Sequence, residues 1–161
     1  MKKITLVRHA KSSWKYDVND IDRPLKKRGI VDANLVSNAF YVRESLPNIV
    51  FSSPANRALT TCKIFMKNLN IDSKIVHVND KLYDFGGQNV VDFIKKCDDT
   101  YNHIMIFGHN HAFTSISNIF GDIFIANLPT SGLVEIIFDV DSWTKISNGK
   151  TLKTIFPRDL K

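Results

Sequence analysis

Two histidines and two arginines stand where their chemistry could be combined. Arg8 and His9 follow directly on the short apolar run Ile4-Thr5-Leu6-Val7. His109 follows Gly108 and the run Ile104-Met105-Ile106-Phe107. Arg57 comes shortly after Ile49-Val50-Phe51, through Ser52-Ser53-Pro54-Ala55-Asn56. A guanidinium is a permanent cation whose forked donors match the geometry of a phosphoryl group. An imidazole with an ordinary pKa of about 6.5 is available as a neutral nucleophile near neutrality. His9 can therefore attack phosphorus in line and carry the phosphoryl group covalently. Arg8, Arg57 and His109 can supply donors and positive charge to the equatorial oxygens, where transfer is mostly positioning and charge stabilisation. This set requires no metal and no cofactor, and no carboxylate cluster suggests a metal.

These residues can meet only if the runs before them are neighbouring strands. Each run has the length and composition of a buried strand, and ligands of open α/β sheets bind at the carboxyl ends of the strands. The rest of the chain supplies the alternating elements that such a sheet needs. A helix is predicted over 26–44, with Val31, Leu35, Ala39 and Val42 on one face, stopping before Pro47. A strand over 49–51 leads to a second helix with Pro54 in its first turn and Ala58, Cys62, Phe65 and Leu69 at helical spacing. A strand over 75–78, a loop through 82–87 and a short helix over 90–97 come next. The strand over 104–107 leads to a helix over 111–120 with Phe113, Ile116 and Phe120 inward. A strand over 133–138 and a more polar edge strand over 151–156 complete the order. The alternation predicts a single α/β domain over 1–161, a three-layer α/β/α sandwich around a six-stranded, mainly parallel sheet.

Composition narrows the class. Hydrophobic residues make up 43% and charged residues 24% of the 161 positions, an ordinary soluble balance. The net charge of +6 reflects a lysine-rich surface and also suits an anionic substrate. The basic residues are scattered and not interleaved with aromatics, which argues against nucleic acid. Cys62 and Cys97 have neither disulfide nor metal-ligand spacing, and Cys62 fits a buried helical position. Met1-Lys2-Lys3 is followed by only four residues before Arg8, too short for a signal sequence. No stretch is apolar enough to span a membrane. The expected location is the cytoplasm.

Several residues have plain structural readings. Ser52-Ser53-Pro54 is a turn and helix cap in its own right. Asp22 and Arg23 are expected to tie a loop together. His77 and His103 look structural, His111 opens a helix at the rim, and Trp14 either walls the cleft or packs.

The order of these motifs carries a resemblance. Arg8-His9-Ala10-Lys11-Ser12-Ser13-Trp14, Asp22-Arg23-Pro24-Leu25 with Arg28-Gly29, Ser52-Ser53-Pro54 to Arg57-Ala58 and Thr61, and Gly108-His109-Asn110 resemble the histidine phosphatase superfamily, whose fold is phosphoglycerate mutase-like. Within it, the chain is similar to the small SixA-type phosphohistidine phosphatases over nearly its whole length. The resemblance implies an α/β/α sandwich, His9 as the phosphorylated nucleophile, and Arg8, Arg57 and His109 as the rest of the phosphate pocket. There are departures. Ala10, Lys11 and Lys15 stand where the mutases have Gly, Glu and Asn, and His111 replaces the proline of many SixA-type chains. No long insertion lies between Val78 and Ile104, so the helical cap that carries the acid of larger members is missing. Asp84 is the nearest equivalent of that acid.

The resemblance implies a metal-independent phosphatase acting on phosphohistidine of a protein, such as a histidine phosphotransfer domain. A phosphatase of small phosphomonoesters such as sugar phosphates is the alternative. A phosphoprotein-binding module with little turnover is a second, from a different class.

Overall fold

A computed structural model describes residues 1–41 and 46–161. Its centre is one six-stranded sheet in the order β3-β2-β4-β1-β5-β6. The strands are β1 (Lys2–Arg8), β2 (Ile49–Ser52), β3 (Val76–Val78), β4 (His103–Gly108), β5 (Leu133–Phe138) and β6 (Lys150–Ile155). β3, β2, β4 and β1 are mutually parallel, and β5 runs antiparallel to both its neighbours. The sheet is thus mixed and mainly parallel, as expected, with β6 at an edge.

Alternation along the strands sends side chains to two separate cores. Ile4 and Leu6 of β1, with Ile104 and Ile106 of β4, face α3 (Gln88–Lys95) and α4 (Ala112–Phe120). Val7, Met105 and Phe107 face the opposite way, onto α1 (Lys27–Phe40) and α2 (Asn56–Leu69). In α2 the predicted stripe Ala58, Cys62, Phe65 and Leu69 is fully buried. In α4 the predicted inward residues Phe113, Ile116 and Phe120 are buried as well.

The first helix differs from the expectation. Val31 and Ala39 are exposed and Leu35 only half-buried, while Ala33, Val36 and Phe40 form the core face. The rotation is set by Gly29: a Cβ there would lie 2.3 Å from the Lys11 carbonyl oxygen. Glycine lets the helix press against the loop after β1, and that contact turns 33, 36 and 40 inward. Val42 and Glu44, assigned to the same helix by the sequence, lie outside the described residues. Pro54 also sits differently. α2 begins at Asn56 with Ala55 as its cap, so the proline lies just outside the helix rather than in its first turn. Between β3 and β4, residues 79–102 hold a 3₁₀ turn and the eight-residue α3, with no helical cap.

Candidate active site

The site is built by continuing three parallel strands past their last residues. The His9 N–H donates to Gly108 O at 3.0 Å, and the Ser53 N–H donates to Phe107 O at 3.0 Å. The ladders therefore extend one residue beyond β1 and β2 and bring His9, Ser53 and His109 together. Gly108 is needed for this turn, because a Cβ there would meet the Phe113 ring at 2.7 Å. Arg57 arrives from the first turn of α2. Thr61 ties that helix to the loop by accepting from Ala10 N at 2.9 Å and donating to Arg57 O at 2.7 Å.

Four expected residues, Arg8, His9, Arg57 and His109, converge. The rings of His9 and His109 lie 5.4 Å apart, 8% and 1% exposed respectively, and Arg57 is 2% exposed. His9 Nδ1 lies 2.7 Å from Ala10 O. A carbonyl oxygen only accepts, so Nδ1 carries the proton and Nε2 keeps its lone pair. Burial pulls His9 down to about 3; the bond to Ala10 opposes this, and Arg57, Arg8 and Arg23 reinforce it. Burial also takes His109 to about 3, helped by His9 and Arg57 and opposed by Asp20. Both imidazoles are neutral near neutrality.

The polar atoms left over point to a ligand. Among the described residues, Arg8 Nε, Arg57 Nε, His109 Nδ1 and Ser131 Oγ are buried without a hydrogen-bond partner; the fifth such atom, Asp32 Oδ1 of α1, lies 2.9 Å from the Lys161 ammonium. Each arginine is gripped at its far end by a backbone carbonyl: Arg8 Nη1 donates to Leu128 O at 2.8 Å, and Arg57 Nη1 to Asp20 O at 2.7 Å. Buried polar groups are almost always paired. Several orphaned donors in one cluster therefore describe a cradle for an anion with several oxygens.

The expected acid, Asp84, is bonded to backbone N–H groups. Its carboxylate accepts from Gly86 N at 3.2 Å, Gly87 N at 3.1 Å and Val90 N at 3.2 Å. Both oxygens thus cap the loop and first turn leading into α3. The carboxylate that does reach the cluster is Asp20, which the sequence reading passed over. It accepts from Arg57 Nη2 at 2.9 Å, Arg23 Nη1 at 3.1 Å and Tyr83 Oη at 2.5 Å. Partial desolvation pushes Asp20 up, but the bonds from Tyr83, Arg57 and Arg23 outweigh it and hold the carboxyl at about 2. Its position two residues before the recognised Asp22-Arg23 pair was the available signal. Arg23 ties the loop as expected, donating also to Ser13 O at 3.1 Å and to the Ser12 hydroxyl.

Three other neighbours were not foreseen. Tyr83 and Phe85 pack on the His109 ring at centroid distances of 5.4 Å and 5.0 Å. Ser131 adopts a left-handed φ of 61° and donates its N–H to the carbonyls of both Arg8 and His9. His111 is exposed at the cap of α4. Trp14 is exposed, with the Arg23 guanidinium stacked 3.2 Å from its ring centre. Among the described residues, no group of three His, Cys, Asp or Glu could hold a metal ion.

Known proteins share this fold and part of this sequence. An uncharacterized protein of Mycobacterium tuberculosis is 26% identical over 155 residues, spanning 89% of this chain and 93% of its own. The protein histidine phosphatase SixA, solved in complex with tungstate, superposes with a TM-score of 0.80 at 20% identity, covering 99% of both chains. A protein of Agrobacterium tumefaciens assigned as a phosphohistidine phosphatase SixA gives a TM-score of 0.79 at 20% identity over 96% of this chain and 97% of the other. Those two likenesses establish the shared fold. The sequence pattern of the histidine phosphatase superfamily (branch 1) matches residues 4–86. With the match running through Arg8, His9 and Arg57, the chain belongs to the histidine phosphatase superfamily and is a phosphatase.

Proposed function

We propose that this phosphatase is a single-domain, metal-independent enzyme that removes phosphate from phosphohistidine on a protein. His9 Nε2 attacks phosphorus as the substrate P–N bond breaks, and the leaving imidazole takes a proton from solvent. Water then attacks the phosphorus of phosphorylated His9, releasing inorganic phosphate and restoring the neutral ring. Arg8, Arg57 and His109 hold the equatorial oxygens throughout, the two arginines supplying positive charge and His109 a neutral N–H donor.

One observation carries the choice of substrate. The carboxylate at the site, Asp20, is held ionised by Arg57, Arg23 and Tyr83, and Asp84 is occupied as a cap. Neither is a proton donor for an alkoxide. An imidazole is a far better leaving group and needs none from the enzyme. The likeness in fold to a protein histidine phosphatase supports the same reading, as does the short connection between β3 and β4, which carries no helical cap. No helix among the described residues is long and apolar enough to cross a membrane. Two unpaired cysteines suit a reducing compartment, which we take to be the cytoplasm.

The test compares a phosphohistidine-bearing phosphotransfer protein with a panel of sugar phosphates, in the presence of chelator. Faster release of phosphate from the protein, with label trapped on His9 in a neutral quench, is expected. Turnover of sugar phosphates alone would favour the small-ester alternative, and a strict need for a divalent cation would overturn the charge assignment. Tight binding of the phosphoprotein with no release would leave a binding module.

A further inference from the structure

His109 has two ring nitrogens with different fates. Nε2 lies 2.8 Å from Ser53 Oγ, and Nδ1 is buried with no partner among the described residues. The ring is neutral near neutrality, so one nitrogen carries the proton. Ser53 decides which.

Ser53 is fully buried. Its hydroxyl oxygen already accepts the Ala55 N–H at 3.2 Å, and its other partner is His109. If His109 donated from Nε2, the Ser53 hydroxyl proton would have no acceptor, which is costly in a dry site. The buried Nδ1 would also be left as a lone pair with no donor. If Ser53 donates instead, its hydroxyl is satisfied on both sides and the imidazole proton sits on Nδ1.

We infer that Ser53 is a positioning residue that fixes His109 in the Nδ1–H tautomer, so that His109 presents a donor to the phosphoryl oxygens. The inference rests on His109 being a phosphoryl ligand. The two histidines then share one tautomer for opposite tasks. In His9 the Nδ1–H donates to the Ala10 carbonyl, which leaves the Nε2 lone pair free to attack. In His109 the Ser53 hydroxyl takes up Nε2 and frees Nδ1–H to donate. An ordinary turn role for Ser53 would affect stability alone, whereas this role also acts through the ring.

The decisive measurement is the ¹⁵N chemical shift pair of His109 in the full chain, with and without inorganic phosphate. The unliganded protein should show a protonated Nδ1 and an unprotonated Nε2. Ser53→Ala should shift the ring toward Nε2–H and lower kcat on phosphohistidine ~10- to 100-fold with a smaller change in KM, as for a donor used in the transition state. Ser53→Thr, which keeps the hydroxyl, should restore both. An Nε2–H tautomer in the wild-type protein, or a Ser53→Ala protein with unchanged tautomer and kcat, overturns the inference. His109→Ala separates the two levels. If it turns over normally, the role of His109 itself fails. If it is slow while Ser53→Ala is normal, only the role of Ser53 fails.

Discussion

The adjacent parallel strands β1 and β4 carry a buried histidine cluster toward each end, and the two clusters have opposite character. Toward the amino end, His103 Nε2 lies 2.7 Å from Thr5 Oγ1, which in turn donates to Glu135 Oε2 at 2.9 Å. Burial, then the charge of Lys3, pulls His103 down to about 3, so its 3.7 Å approach to Glu135 is not a salt bridge. A backbone hydrogen bond at Leu46 opposes the downward shift. Lys3 and Lys153 flank the carboxylate at 3.9 Å and 4.0 Å, and no buried polar atom of this cluster lacks a partner. At the carboxyl end, His9 and His109 are as deeply buried and as strongly shifted. There the arginines, His109 and Ser131 keep orphaned atoms. Burial and a displaced pKa are common to both ends; unmet hydrogen-bonding capacity distinguishes the one built for a ligand.

The largest test of that distinction is a pair of substitutions. His9→Ala should lower turnover by ~10³-fold or more, the scale of losing a nucleophile. It should cost less stability than His103→Ala, because beyond the cavity that each buried ring leaves it gives up one hydrogen bond, to Ala10 O, rather than a polar chain. His103→Ala should do the reverse, costing about 2–3 kcal/mol through a cavity and a broken polar chain while the folded protein keeps its kcat. Urea unfolding and steady-state assays on both proteins check this. A stable His103→Ala protein, or an active His9→Ala protein, would break the comparison.

Next in size is a pH effect that separates the clusters. His9, His103 and His109 are each held at about 3 in the folded chain, against an ordinary value of 6.5. Unfolding lets them take up protons between those limits. Stability is therefore complete above about pH 6.5 and falls as the pH drops toward 3, by up to ~1.4 kcal/mol per pH unit for each histidine. Saturating inorganic phosphate should raise stability by mass action. It should also flatten the slope by the share of His9 and His109, because an anion beside them favours their charged forms. His103 faces no such anion, so its share should remain, and His103→Gln should remove it. Urea midpoints across pH 4–7 with and without phosphate give the proton counts. A slope untouched by phosphate would mean the anion does not sit against the two rings.

How much of this was legible beforehand follows from which interactions are local. The runs before Arg8, His9 and His109 mark strand ends by composition alone, and parallel pairing then brings those ends together. The structural reading of His103 was also available, because it stands before its strand's apolar run rather than after it. The rotation of α1 was not legible: the stripe 31, 35, 39 is as periodic as 33, 36, 40. The close approach of Gly29 to Lys11, a tertiary contact, decided between them. Asp20 was missed for a similar reason. Three acidic residues crowd 17–22, and only the folded loop shows which one receives Arg57, Arg23 and Tyr83. Asp84 was chosen because it lies where a capped relative would carry its acid. Its local geometry, a carboxylate before two glycines and a helix, was equally a capping signal.

The smallest expected effect concerns Asp84 and sharpens the contrast between carboxylates that hold structure and groups that meet substrate. Its oxygens bond three backbone N–H groups around the start of α3. Asp84→Asn keeps one acceptor oxygen and should cost about 1 kcal/mol or less, the usual scale of a weakened cap. Its effect on turnover should be equal and slight for phosphohistidine and for an alkyl phosphomonoester. A proton donor would behave differently. Its loss would spare phosphohistidine, whose leaving imidazole draws on solvent, and would slow the alkyl ester by ~10²-fold or more. Rates on the two substrates, measured side by side on the wild-type and Asp84→Asn proteins, decide the matter. A selective loss on the ester would return Asp84 to the reacting centre as its proton donor.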